Sequence, residues 1–168
     1  MNTFILKSIL ITLTAGALVA ASVTPLILPN STLTPGVVNT DPKLTLKKLC
    51  VSGYTASAGI RAVPEKVHKQ VFAEYNIDPK SDKYEVDHLI SLELGGTNDI
   101  KNLWPQSYTT VPYNAHIKDH LENELHKRVC KLKTMQLKDA QFIISHNWVD
   151  GYKKYYCTNH IVKDDSCK

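Results

Sequence analysis

The segment from Tyr84 to Glu122 constrains this chain more than any other, because it sets two short β-prone runs and a long helical pattern in immediate succession. Tyr84-Glu85-Val86-Asp87-His88-Leu89-Ile90 is the first run and Ile100 to Trp104 the second, with Gly95-Gly96-Thr97-Asn98-Asp99 between them. This predicts a β-hairpin with a wide loop. After Pro105 and a loop containing Pro112, Ile117, Leu121, Leu125 and Val129 recur at fourfold spacing within Asn114 to Leu132. That spacing predicts an amphipathic helix. The expected core is therefore α+β, a hairpin packed against one helix.

Flanking helices are expected on both sides. Pro64-Glu65 followed by Val67, Val71, Phe72 and Tyr75 has proline at the start and apolar residues one turn apart. Asn76 to Lys83, with Pro79, breaks that pattern. A last helix is predicted from Leu137 to Tyr152, with Ala140, Ile143, Ile144, Trp148 and Tyr152 on its inner face. Trp104 and Trp148 lie in apolar-periodic elements and are read as core rather than as base-stacking platforms. There is no internal repeat.

The N-terminus carries one positive charge, Lys7, and then an apolar run from Ile9 to Ala21. That order predicts a secretory signal peptide over residues 1–21, with Val19 and Ala21 as the small residues of the cleavage site. An uncleaved anchor is the alternative, since Val23 and Leu26 to Leu28 lengthen the apolar stretch, but Pro25 and Pro29 interrupt it. Residues 22–43, rich in Thr, Pro, Asn and Ser, read as an extended linker, and 44–168 as one folded domain. The formal charge of +4 is mildly basic. It suits a phosphate-backbone partner and a solvated surface equally well.

Four cysteines, Cys50, Cys130, Cys157 and Cys167, form no C-x-x-C pair. An even count in an exported chain favours disulfides over a cysteine-ligated structural zinc. Cys157 with Cys167 and Cys50 with Cys130 is one pairing; the other two connectivities stay open.

The chemistry-bearing order is a strand with Asp87-His88, a Gly-rich loop, a strand with Asn102-Leu103, and a helix opening with Asn114, His116, Lys118, Asp119 and His120. A one-metal phosphodiesterase needs a metal to bridge the scissile phosphate and leaving oxygen, and a neutral histidine to deprotonate water. Oxygen donors suit magnesium or manganese, and added histidine nitrogens would accept zinc or nickel.

Val86-Asp87-His88-Leu89-Ile90, Leu94-Gly95-Gly96-Thr97-Asn98, Ile100 to Gln106 and Asn114 to Glu122 together resemble the signature of bacterial secreted HNH endonuclease-like proteins, the ββα-metal family. The resemblance runs from about Leu33 to Tyr156. It implies that His88 is the general base, that Asp87 binds the metal, and that Asn102 braces the hairpin loop and helps orient the histidine. The third family position falls on Asn114 or His116, which point about 200° apart on a helix and so compete for one ion. Ser91 stands where the commoner family variant has proline, and the usual cysteine knuckles are missing. A Cys50–Cys130 disulfide would brace the domain in their place.

Lys118 is either half of an exposed pair with Asp119 or a point charge for the scissile phosphate. Glu93 reads as a solvated charge, with a second metal carboxylate as the alternative. His68, His126, His146 and His160 read as surface or half-buried residues. The function expected is an exported, monomeric endonuclease that cleaves DNA, with RNA as a second substrate. It would use a divalent ion, foremost Mg2+, with Mn2+, Zn2+ or Ni2+ as alternatives. The competing expectation is an inactive binding module of the cell envelope on the same scaffold.

Overall fold

A computed structural model describes residues 26–57, 59–160 and 165–168. In chain order the main elements are α1 (Leu46–Leu49), α2 (Tyr54–Ser57), α3 (Glu65–Glu74), β1 (Tyr84–His88), β2 (Leu103–Ser107), α4 (Ala115–Cys130) and α5 (Leu137–Tyr155). The architecture is α+β. The expected signal peptide, residues 1–21, lies outside the described residues. Among the described residues no helix is long and apolar enough to cross a membrane.

β1 and β2 pair antiparallel with Asp87 opposite Trp104 and His88 opposite Leu103. The second strand starts three residues later than its sequence suggests. Asp99 Oδ1 accepts the Lys101 N–H at 2.8 Å and turns Ile100–Asn102 into a 3-10 helix before the strand begins. Between the strands, Gly96 sits where a Cβ would lie 1.8 Å from the Ile90 carbonyl oxygen, so no other residue fits that approach.

α4 begins at a cap: Asn114 Oδ1 accepts the Ile117 N–H at 3.2 Å. Its Leu121, Leu125 and Val129 pack on Ala140, Ile144, Trp148 and Tyr152 of α5, with Ile90 and Leu94 from the hairpin loop completing the core. Burial of each such Leu or Ile contributes roughly 1.5–3 kcal/mol. α5 is broken at Asn147, where φ −156 and ψ 93 leave the helical region. The Asn147 side chain repairs the break by accepting the N–H groups of Val149 and Asp150 at 3.1 and 3.2 Å. On the far side, α3 buries Val71 and Phe72 and packs against both strands.

The stretch expected as a linker is part of the fold from Ile27 onward. Trp148 Nε1 donates to the Ile27 carbonyl at 2.8 Å, and buried Thr34 donates its hydroxyl to the Leu103 carbonyl at 2.8 Å. Gly36 N–H donates to Lys101 and Val38 bridges Gly96. Its polar composition reads as loop, but those polar atoms have long-range partners. Two disulfides, Cys50–Cys130 and Cys157–Cys167, settle the connectivity.

Candidate active site

His88 closes β1, and its imidazole is held by one bond: Nε2 donates to Asn98 Oδ1 at 2.7 Å. The direction follows from Asn98, whose Nδ2 donates to the Ile60 carbonyl at 2.9 Å and so fixes the amide with its oxygen toward the ring. With Nε2 protonated, Nδ1 carries the lone pair. Burial pushes the His88 pKa below the ordinary 6.5; the Asn98 bond and the charge of Asp87 oppose that shift, and Lys118 reinforces it. The ring is therefore a neutral base at neutral pH.

One residue earlier, Asp87 shares a strand face with Glu85 and looks onto α4. Lys118 reaches it from the second turn of α4. Its Nζ donates to Asp87 Oδ2 at 2.6 Å, to the His88 carbonyl at 2.7 Å, and to Glu122 Oε1 one turn further on. Lys118 is only 1% exposed, and two carboxylates hold its ammonium charged well above the usual lysine value against the cost of burial. Burial pushes the Glu122 carboxyl up, with Lys118 pulling it back and Asp87 adding to the rise. Glu85 and Asp119 are raised as well, by burial first and by the negative charge of Asp87 second.

Asp87, His88, Glu85, Glu93 and Glu122 line one cleft of about 260 Å³. Asp87 and His88, which strand alternation would separate, both reach it. Among its described lining residues Arg61 is the one permanent cation. Two of its carboxylates, Asp87 and Glu122, converge on a single positive charge, the Lys118 ammonium.

Asn102 is fully buried and braces the hairpin loop. Its Oδ1 accepts the N–H groups of Ile90 and Val37 at 3.0 and 3.2 Å, and its Nδ2 donates to the carbonyls of Ile90 and Thr97. The histidine is oriented by Asn98 instead. Neither candidate for the third position reaches the cleft. Asn114 is spent on the helix cap and on the Thr110 carbonyl, and exposed His116 stacks on Tyr108 with ring centroids 5.6 Å apart.

No family model, curated protein or solved structure matches the chain. The site is therefore read from its geometry.

Lys118 is not an exposed partner of Asp119: it is buried, and its ammonium donates to Asp87, the His88 carbonyl and Glu122. The residues that sequence reasoning missed are Asn98, Glu122, Glu85 and Arg61. Glu122 had a legible signal, lying one helical turn beyond Lys118, which itself lies one turn beyond Asn114. Arg61 had none, because only the tertiary fold brings its loop to the cleft. Away from the cleft, Cys50, His126 and Cys130 bring three ligand atoms within 4.8 Å of one another, a grouping that could hold a metal ion.

Proposed function

We propose that this chain is an exported, metal-dependent endonuclease that hydrolyses phosphodiester bonds of DNA, with RNA as a second substrate, and acts as a monomer in the periplasm or medium. The observation that carries this reading is the His88 imidazole, kept neutral by burial, oriented by Asn98 and presented to a cleft walled by carboxylates. In this mechanism Nδ1 of His88 takes the proton of a water, whose oxygen attacks phosphorus as the bond to the leaving sugar oxygen breaks. Asp87 and Glu122 would hold the divalent ion, Mg2+ or Mn2+ by their donor type, rather than Asn114 or His116. Bound there, the ion supplies Lewis-acid stabilisation of charge on the phosphate and leaving oxygen. Four carboxylates would otherwise repel a polyanion, and Arg61 alone is too little positive charge to reverse that. The two disulfides fit an oxidising destination.

One observation favours a second reading, a binding module without turnover: Lys118 already occupies both Asp87 and Glu122 as a built-in cation. Plasmid degradation by the purified protein separates the two. The nuclease reading expects nicking and linearisation with Mg2+ or Mn2+, none with chelator, and a loss of at least about a hundredfold in His88→Ala. Intact plasmid under all conditions, together with no affinity for divalent ions, refutes the nuclease reading and leaves the module.

A further inference from the structure

Cys50, His126 and Cys130 meet where the end of α1 reaches the last turns of α4. His126 and Cys130 are four residues apart on one helix, so α4 itself sets one side of the triangle. The disulfide brings Cys50 to the other side. His126 is half-buried, yet among the described residues no hydrogen bond, ion pair or ring contact engages its imidazole. The ring nitrogens stay open to solvent and stand beside two sulfurs, free to take a ligand. A pocket of about 300 Å³ opens onto the three, with the oxygen-bearing side chains of Glu93 and Asn123 in its wall.

We propose that these residues are a zinc site that alternates with the disulfide: once Cys50–Cys130 is reduced, the two thiolates and the His126 imidazole bind one Zn2+, and a water in the pocket completes four ligands. The balance is simple. A dithiol reductant delivers two electrons and two protons, the S–S bond breaks to two thiols, and the reductant closes to its own disulfide. Zinc then displaces the two thiol protons and accepts a ring-nitrogen lone pair. Two thiolates on a tetrahedral zinc, each at about 2.3 Å, stand about 3.8 Å apart. Cys50, at the end of a four-residue helix, is the partner placed to make that adjustment, while Cys130 stays in α4.

Disulfide and zinc are thus two staples at one place, either of which ties the chain near residue 50 to the end of α4. Exchange with an oxidised dithiol runs the step backwards and releases the ion. The proposal does not depend on the reading of the cleft.

The test uses the full chain, reduced with a phosphine under nitrogen and titrated with Co2+ as a coloured stand-in. One Co2+ per chain should bind with a thiolate-to-cobalt charge-transfer absorption and tetrahedral d–d bands, and one equivalent of Zn2+ should erase both. Cys157→Ser/Cys167→Ser should keep the signal and Cys50→Ser/Cys130→Ser should lose it. His126→Ala should weaken binding by at least about tenfold and shift the d–d bands. The oxidised protein should give no such absorption. If reduction unfolds the chain by circular dichroism, refolding on one equivalent of Zn2+ supports the proposal, and a chain that stays unfolded overturns it. Absence of the charge-transfer band in folded, reduced protein overturns it too, as does a band unchanged by His126→Ala or present before reduction.

Discussion

Replacing Lys118 by methionine removes the ammonium shared by Asp87, Glu122 and the His88 carbonyl while keeping a chain of similar length in the same slot. What remains is two carboxylates facing one space. Breaking a buried ion pair from one side costs about 3–5 kcal/mol, because the surviving charge is left uncompensated. Asp87 and Glu122 keep 16% and 17% of their side-chain surface, so water reaches them in part and the lower end, about 3 kcal/mol, applies. For a domain of this size that loss lowers the melting temperature by about 10 °C. Urea unfolding followed by circular dichroism, with chelator present, measures it. The charge-free triple variant Lys118→Met/Asp87→Asn/Glu122→Gln should regain most of the loss, since no uncompensated charge survives in it. Saturating Mn2+ should also stabilise Lys118→Met relative to its metal-free state, by about 2.7 kcal/mol at a hundredfold excess over the dissociation constant. A Lys118→Met protein within about 1 kcal/mol of the parent in chelator would refute the reasoning, because the ammonium would then not be compensating those carboxylates.

His88→Ala should lower hydrolysis by a factor of roughly 10² to 10⁴ and leave divalent-ion binding in place, whereas Asp87→Ala should lose both; calorimetric titration checks the separation, and equal loss of ion binding in the two contradicts the roles. Because burial lowers the His88 pKa and only the free base accepts a proton, kcat/KM should be full at neutral pH and fall only below about 6.5. Asn98→Asp places a negative charge at the 2.7 Å bond and should move that acid limb upward; a limb that does not move would detach Asn98 from the histidine. With sequence separations of 80 and 10, the loop-closure argument assigns about 4.5 kcal/mol to Cys50–Cys130 and about 2.7 kcal/mol to Cys157–Cys167. Paired Cys→Ser variants compared by denaturation should keep that order, and the reverse order would contradict it.

Periodicity by itself determined the parts of this protein whose signal is local. Leu121, Leu125 and Val129 of α4, and Ala140, Ile144, Trp148 and Tyr152 of α5, repeat at helical spacing and are buried where that spacing places them. The hairpin is legible in two β-prone runs around Gly95-Gly96, and Gly96 is where backbone packs on backbone. Asp87 and His88 stand out as neighbours in the first run. The rest depends on distance in sequence. Ile27 to Asn39 reads as linker because the partners that tie it to the domain lie far off in sequence, in Tyr75, Gly95, Lys101, Leu103 and Trp148. Lys118 and Asp119 are adjacent charges on one helix in sequence, yet the hairpin covers the first and leaves the second exposed. Asn114 and His116 compete on motif spacing alone. The helix settles the competition by using Asn114 as its cap and turning His116 outward, while Lys118 and Glu122, a turn apart, take the face toward Asp87. A side chain's role at such a site is set by which face its element buries, and that face is chosen only when hairpin and helix pack together.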